Sequence, residues 1–360
     1  MSRKPEAKAP PLDADALASP SCPASLDPDR ITLVHGAGAG ASARLLEERV
    51  FPHLANPWLR ERHDGAVLEV GASRVAFTTD TFVVSPLEFP GGDIGSLAVH
   101  GTLNDLAMCG ARPLALSCAL VLEEGLPLAT LERVVGRIGE AARAAGVPVV
   151  TGDTKVVERG KGDGLFVNAS GLGLVPAGLD LRPGRVAPGD AVLVSGPVGQ
   201  HGAAVLSVRE GLAFESEIRS DSQPLHDVVE VLLDAVSEVS CLRDPSRGGV
   251  VAVLHEIAQG AGAEIEIEDA LVPVTEPVRS ACELLGLDPL SLACEGRFVA
   301  FVAAPEVDAA LEVLRGHPKG QGAVRVGTVR AGPARVVCRT ALGTRRLLSL
   351  PAGEPLPRIC

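Results

Sequence analysis

Apolar residues in this chain alternate with polar ones in short runs, then switch to a three-to-four spacing, and the switch recurs along most of its length. Ala66–Val70 and Arg74–Val84 (RVAFTTDTFVV) read as β-strands, rich in β-branched residues and bounded by turn residues. Ile94–Cys109 has apolar residues at helical spacing and stops at Gly110. Leu114–Leu122 predicts a buried strand and Leu128–Ala145 an amphipathic helix ended by Gly146; Val147–Val150 and Gly164–Leu174 predict further strands. Proline and glycine accumulate over Val175–Gly189, marking a domain boundary. A second series starts with the strand Ala191–Ser195 and runs to about Thr340. Its helices are expected at Gly248–Gly260 and Glu276–Leu285, and its strands at Glu264–Ile267, Arg297–Ala303 and Arg325–Val329.

Strands and helices interleave in both halves, so the expected fold class is α/β (α+β) with two domains. The N-terminal domain is placed at 31–180, the C-terminal α/β domain at 181–342 and a flexible tail at 343–360. Residues 1–30 are rich in Ala, Pro, Ser and Asp without a hydrophobic period and read as a disordered extension.

Composition narrows the class. Hydrophobic residues make up 46% of the 360, yet no apolar run reaches the length of a membrane span. The net charge of −12 argues against a nucleic-acid-binding surface. No apolar segment follows the first basic residues as in a secretory signal, so the expected compartment is the cytoplasm. The eight cysteines are scattered without a CxxC pair, which favours free thiols over disulfides or a structural metal.

The candidate chemistry lies in acids and glycines. Asp64 (HDGAV), Asp80 (TTDTF), Asp105 (GTLNDLA) and Asp153 (TGDTKVV) fall where one predicted element hands over to the next, and Asp244 (RDPSRGG) opens a helix of the second half. Each alone fits an N-cap or turn residue; together they suit a magnesium–nucleotide site, because Mg2+ takes carboxylate and phosphate oxygens. Two glycine loops, His35-Gly36-Ala37-Gly38-Ala39-Gly40 and Phe89-Pro90-Gly91-Gly92-Asp93-Ile94-Gly95, precede helices and let backbone N–H groups approach an anion. Neither has the spacing of a P-loop or a dinucleotide fingerprint. Lys155, directly after a predicted buried strand, either pairs with Asp153 or offsets charge on a transferring phosphoryl group. Glu295, in CEGR before an apolar strand, is a candidate general base or a turn carboxylate. Cys360 is the last residue, on a tail carrying Pro351, Pro355 and Pro357. The ten residues from Pro351 span at most roughly 33–36 Å when extended, enough to carry a thiol between solvent and a cleft.

The pieces LVHGAGAG, TTDTFVV, FPGGDIGSLAVHGTLNDLAMCGA, LEEGLP, VTGDTKVVERG, RDPSRGGV, CEGR and the terminal PRIC resemble the HypE family of carbamoyl dehydratases from [NiFe]-hydrogenase maturation. That family belongs to the superfamily of aminoimidazole ribonucleotide synthetase, selenophosphate synthetase and thiamine-monophosphate kinase. The resemblance covers residues 31–360. It implies two α/β domains and a homodimer whose N-terminal domains form a shared β-barrel. It also implies ATP and Mg2+ as cofactors, with Asp64, Asp80, Asp105 and Asp244 at the metal. It places His35, Gly36, Gly38, Gly92, Asp93, Asn104, Gly152, Thr154 and Arg247 beside the nucleotide. Cys360 becomes the carrier: HypF carbamoylates its sulfur, the S-carboxamide is dehydrated to an S-cyanate, and the cyano group passes to iron on the HypC–HypD complex. Asp153, Lys155 and Glu295 are the candidates for handling charge and protons.

Two other readings compete. A selenophosphate synthetase would carry a reactive cysteine near the first glycine loop, where this chain has His35 and only Cys22 upstream. A non-catalytic ATP-binding scaffold would not need the full aspartate set together with GDTKVV.

Overall fold

Three short helices, α1 (Gly40–Leu45), α2 (Phe51–Leu54) and α3 (Pro57–Glu61), lead into a hairpin of β1 (Ala66–Val70) and β2 (Ser73–Phe82). The computed structural model describes residues 30–36, 38, 40–211, 217–350 and 358–360. The expected extension at 1–29 and the tail prolines Pro351, Pro355 and Pro357 lie outside the described residues.

After a two-residue hairpin, β3 (Glu88–Phe89) with β4 (Gly92–Asp93), comes α4 (Ile94–Met108). Asp93 caps α4: its side chain accepts from the N–H groups of Gly95 and Ser96, and the Ser96 hydroxyl accepts in return from the Asp93 N–H. Two of the four free N-terminal amides are thereby satisfied. The chain continues through β5 (Arg112–Glu123), α5 (Leu128–Ala144), β6 (Val149–Val157) and β7 (Leu165–Val175). These strands form a five-stranded sheet in the order β1-β2-β7-β5-β6. The pairing is antiparallel except between β5 and β6.

One face of this sheet is buried. Leu165, Val167, Ala169 and Val175 of β7 alternate inward, and the α4 residues Ile94, Leu97 and Leu103 are fully buried in the same core. The other face shows Phe77, Leu172 and Leu174 at 40–45% exposure. The edge strand β6 is exposed at every position but Val157.

The second half builds a seven-stranded sheet from β8 (Ala191–Val194), β9 (Val239–Arg243), β10 (Glu264–Glu268), β11 (Val299–Val302), β12 (Val324–Arg330), β13 (Arg335–Arg339) and β14 (Arg345–Leu347). Its order is β14-β13-β10-β12-β8-β11-β9. The helices are α6 (Gln200–Arg209), α7 (His226–Ala235), α8 (Gly249–Ala261), α9 (Glu276–Leu285) and α10 (Val307–Gly316). β8 reads AVLV because both its faces are covered: Val192 and Val194 pack with α8, Ala191 and Leu193 with α7 and α10. Ala107 and Met108, at the end of α4, join that second core and tie the two halves together.

The expected mixed α/β architecture is borne out, and the strands and helices predicted from periodicity occur close to their expected positions. The helices α2, α3, α6, α7 and α10 and the strands β3, β4, β9, β13 and β14 were not predicted. Lys155 differs from expectation: it lies within β6, an exposed edge strand running to Val157, and not in a loop after a buried strand. Asp105 lies within α4 and not at a junction.

α4 and α5 cross closely at Gly95, where an added Cβ would sit 2.5 Å from the Val134 carbonyl oxygen. Gly95→Ala is expected to destabilise the protein by about 1–3 kcal/mol by forcing the helices apart, read as a lower urea midpoint with an unchanged slope.

Candidate active site

The carboxylates converge from four places in the chain. Asp64 precedes β1, Asp80 is near the end of β2, Asp105 is on the inner side of α4, and Asp244 follows β9 directly. Oxygens of Asp64, Asp105 and Asp244 all lie within 4.8 Å of one another. The Thr78 hydroxyl, two residues before Asp80 on the same inward face, donates to Asp105 Oδ2 at 2.6 Å. Arg243 sits beneath, 2.7 Å from Asp64 Oδ1 and 2.6 Å from Glu256, with a further hydrogen bond to the Arg62 carbonyl. Glu295 is 2% exposed; its Oε1 and the Oδ2 of Asp64 are buried without a hydrogen-bond partner.

Burial raises the pKa of every one of these acids, and repulsion from neighbouring acids adds to it at Asp64, Asp105, Asp244 and Glu295. Asp64 and Asp105 are pushed well above the usual carboxylate range by burial, and each is raised further by neighbouring acids, Asp244 among them. Asp244 is raised to about 6 by burial, with Arg243 acting against the shift and Asp80 adding to it. Glu295 is raised well above its ordinary value by burial and then by Asp244 and Asp80, while Arg247 favours its charged form. Asp80 is raised by burial and lowered in part by Arg247. Carboxylates drawn together in a dry pocket, with an unpartnered oxygen among them, form a donor set suited to a hard divalent cation. A cation there would favour the ionised forms that burial opposes.

The glycine loops serve close packing as well. Gly38 has φ +76°, and a Cβ there would lie 2.2 Å from the Cβ of Arg247; the Gly38 oxygen in turn lies 2.8 Å from where a Cβ on Gly248 would be. The loop of His35, Gly36 and Gly38 therefore rests on the RDPSRGG segment that carries Asp244 and Arg247. The His35 carbonyl accepts from the Ser42 hydroxyl at 2.6 Å, while Gly36 faces open space. Gly91, at φ +92°, approaches the backbone of Ser220, whose N–H donates to the Pro90 carbonyl at 2.7 Å. Gly92 and Asp93 line a cavity of about 540 Å³ with His100 and Arg137.

Asn104 has its amide fully engaged inside the protein. Its NH2 donates to the carbonyls of Gln223 and Glu295, and its oxygen accepts from the Leu225 N–H. It thus fixes the backbone that presents Glu295. Asp221 does the same from the other side, accepting from the Glu295 N–H at 3.2 Å. Gly152 is required by strand pairing, since a Cβ would fall 1.9 Å from the Cys118 oxygen of β5.

Asp153, Thr154 and Lys155 are not brought to the carboxylates. Pairing sets Asp153 beside Ala119 and Lys155 beside Val121. Ala119 lies beside Asn168, and Asn168 beside Thr81. Paired residues share a face and neighbours alternate, so Asp153 and Lys155 lie on the face opposite Asp80. Lys155 Nζ is 2.7 Å from Asp153, and both side chains are more than half exposed. Thr154 donates its N–H to Asp153.

Cys360 lies inside. The described end of the chain, Arg358–Cys360, pairs with the segment after β2: the Val83 N–H donates to a main-chain carboxylate oxygen of Cys360 at 2.9 Å and the Ser85 N–H to the Arg358 carbonyl at 3.3 Å. Ile359 and Cys360 are 1% and 6% exposed within the core shared by Phe82, Phe89 and Leu97. Val83 is three residues past Asp80, about 10 Å along an extended chain.

Arg243, Thr78 and Asp221 are parts of the site that the sequence reading missed. Only Arg243 carried a signal, as a charge closing the apolar run VSCLR next to Asp244.

A carboxylate triad on this pair of sheets defines a class. Residues 62–175 match the N-terminal domain, and residues 187–338 the C-terminal domain, of AIR synthase related proteins. A carbamoyl dehydratase HypE of Azotobacter vinelandii is 52% identical over 331 residues, which are 92% of this chain and 97% of that protein. A crystal structure of the hydrogenase maturation protein HypE in complex with ATP matches with a TM-score of 0.78 and 47% identity, covering 92% of this chain and all of that one. A chain of a HypE–HypF complex matches with a TM-score of 0.82 and 43% identity over 85% of this chain and 99% of that one. This chain belongs to the HypE family, as the motifs implied. Among the described residues no helix is long and apolar enough to cross a membrane.

The raised pKa of Asp244 makes the cation-free site a pH-dependent burden. A carboxyl whose folded pKa (about 6) exceeds its ordinary value of 3.8 binds extra protons in the folded state, so its stability contribution falls as pH rises between those values. Asp244→Asn should therefore be stabilised relative to the unsubstituted protein without added divalent cation, by up to about 3 kcal/mol at pH 7. The gain should shrink towards pH 4. Thermal melts of both proteins across that range, with chelator present, check the prediction.

Proposed function

We propose that this protein uses ATP to dehydrate the S-carbamoylated thiol of its own Cys360 to an S-cyanate, the source of the cyanide ligand for the iron of [NiFe] hydrogenase. The carrying observation is the placement of Cys360, buried and hydrogen-bonded to Val83, which directly follows β2 and lies three residues past Asp80. The ATP complex and the HypE–HypF complex of its relatives support nucleotide use and a carbamoyltransferase as the donor.

The reaction balances as follows. The carbamoyl oxygen leaves on the transferred phosphoryl group, the nitrogen gives up two protons, one through Glu295 to solvent and one to the departing phosphate, and the products are the S-cyanate, ADP, hydrogen phosphate and a proton. Phosphorylating the oxygen converts oxide, a very poor leaving group, into phosphate. Asp64, Asp105 and Asp244, with Asp80 beside them, would hold magnesium, which would neutralise charge on the nucleotide's phosphates. His35, Gly36 and Gly38 border that site, and Arg247, facing Asp80 and Glu295, favours the ionised form of both. Glu295 takes a nitrogen proton at its unpartnered Oε1. Gly92 and Asp93 shape the neighbouring groove. The buried setting of Cys360 keeps water from the activated carbamoyl group.

Asp153, Thr154 and Lys155 belong to this scheme through a homodimer. The β6 edge is long, exposed and β-branched, with Val150 and Val156 at 64% and 68% exposure, and the sheet face beside it shows Phe77, Leu172 and Leu174. Such an edge is a template for a second sheet, and an N-terminal β-barrel shared by two copies would cover it. Lys155 then serves the nucleotide site of the other subunit. The cyano group then passes from Cys360 to iron held by a HypC–HypD complex in the cytoplasm.

Intact-mass analysis of the C-terminal peptide tests the chemistry. After incubation with the carbamoyltransferase, carbamoyl phosphate and ATP, Cys360 should gain a carboxamide and then lose one water. Cys360→Ser should bind ATP normally and form neither adduct; thiocyanate in that variant would overturn the reading. Glu295→Gln should accept the carboxamide yet lose water at least about 100-fold more slowly. The homodimer has its own test: Asp64→Asn and Lys155→Ala proteins, each inactive, should recover activity when mixed and allowed to exchange subunits.

A further inference from the structure

His201 has no part in the chemistry above, yet it is fully buried and in contact with the end of the chain. It lies on α6, in the run GPVGQHG. Its Nε2 is 2.8 Å from the Ile359 carbonyl oxygen and its Nδ1 is 2.8 Å from the Ser220 hydroxyl. Phe89 meets its ring edge-on at 5.1 Å. A carbonyl can only accept, so Nε2 carries the hydrogen. Burial lowers the pKa of His201 and favours the neutral ring, so Nδ1 accepts from Ser220. The Ser220 oxygen in turn accepts from the Ser222 N–H at 3.1 Å. The tautomer is thus set by a chain of donors running from backbone to backbone.

Arg209, about two turns past His201 at the end of the same helix, donates to the carbonyls of Ser85 and Arg358. Two consecutive carbonyls of the terminal segment, those of Arg358 and Ile359, are therefore held by side chains of α6, while the Arg358 carbonyl and a Cys360 carboxylate oxygen also meet the N–H groups of Ser85 and Val83. Arg358 adds an anchor of its own through Asp163, the Val83 carbonyl and the Phe166 ring.

The partner that fixes His201 also reaches the proposed base. Ser220 is followed by Asp221, whose Oδ1 accepts from the Glu295 N–H. Ser220 itself donates to Pro90, beside the close approach of Gly91. One short segment, Ser220-Asp221, thereby sets the register of the terminal cysteine against the backbone of Glu295.

We propose that His201, oriented by Ser220 and assisted by Arg209, is a positioning residue that clamps the Ile359 carbonyl and so holds the loaded Cys360 thiol in place for dehydration. This rests on the function proposed above, but the position of the tail can be measured without it.

His201→Phe keeps the ring packing on Phe89 and removes the donor; His201→Gln retains an N–H that can reach the carbonyl. In full-length protein, the rate of Cys360 alkylation by iodoacetamide is read by peptide mass spectrometry, with the buried Cys241 and Cys294 as internal controls. His201→Phe should raise Cys360 alkylation roughly tenfold, the scale of one buried hydrogen bond, with Cys241 and Cys294 still protected. His201→Gln should remain near the parent rate. In single turnovers of the pre-carbamoylated protein, His201→Phe should slow loss of water by a similar factor with ATP affinity unchanged, and His201→Gln should restore it. Unchanged alkylation in His201→Phe, or faster alkylation without slower dehydration, overturns the proposal. Should His201→Phe fail to fold, Ser220→Ala, which frees the tautomer, is read by the same two assays: no change in either overturns it. A parent protein that never dehydrates its carboxamide defeats the functional reading instead, and leaves the alkylation result to decide the clamp.

Discussion

Everything in this molecule turns on holding five carboxylates in one dry place. Asp64, Asp80, Asp105, Asp244 and Glu295 are all raised in pKa by burial, and the countercharges Arg243 and Arg247 only partly relieve them. Removing charges from water is costly unless they are paired or bind a cation. The fold accepts that cost through scaffolding on every side. Thr78 steadies Asp105, Arg243 steadies Asp64, and Asn104 and Asp221 fix the backbone of Glu295. α4 is central to this arrangement: it supplies Asn104 and Asp105, packs on the first sheet, and ends in the core of the second.

The glycine-rich segments have a double use that follows from this crowding. Gly38 against Arg247, Gly91 against Ser220 and Gly152 against Cys118 are all close backbone approaches where a side chain would collide. The first two bring loops from distant parts of the chain together, and the third lets β6 pair closely with β5. The end of the chain is treated in the same way. Its carbonyls meet donors from the segment after β2 and from α6, so a peptide with no secondary structure of its own is held like an added strand.

Much of the scaffold was legible in the pattern of apolar residues. The β-branched run RVAFTTDTFVV of β2, the amphipathic α5, the long α4 run ended at Gly110 and the continuous apolar β8 all carried signals, and they form as expected. α6 and α7 were missed for a physical reason. α6 is buried on nearly all sides, from His201 to Ser207, so it lacks the polar face that makes a helix visible in sequence. α7 follows a stretch of coil with no capping residue at its start. The edge strand β6 was read too short because GDTK interrupts its apolar run, although in the fold those residues simply continue the strand on an exposed edge.

By itself the sequence determined the mixed α/β class, the family, the acids that would gather and the terminal cysteine, because each is carried by residue type and local order. Tertiary structure alone decided which of those residues meet. It drew Asp64, Asp105 and Asp244 within reach of one cation, used Asn104 to hold backbone, and set Asp153 and Lys155 on the opposite face of the sheet. It also set the Ile359 carbonyl against His201, a residue that no local pattern singled out, with Cys360 buried beside it. Those outcomes depend on strand register and on packing between segments more than a hundred residues apart, and neither is written in any short stretch of chain.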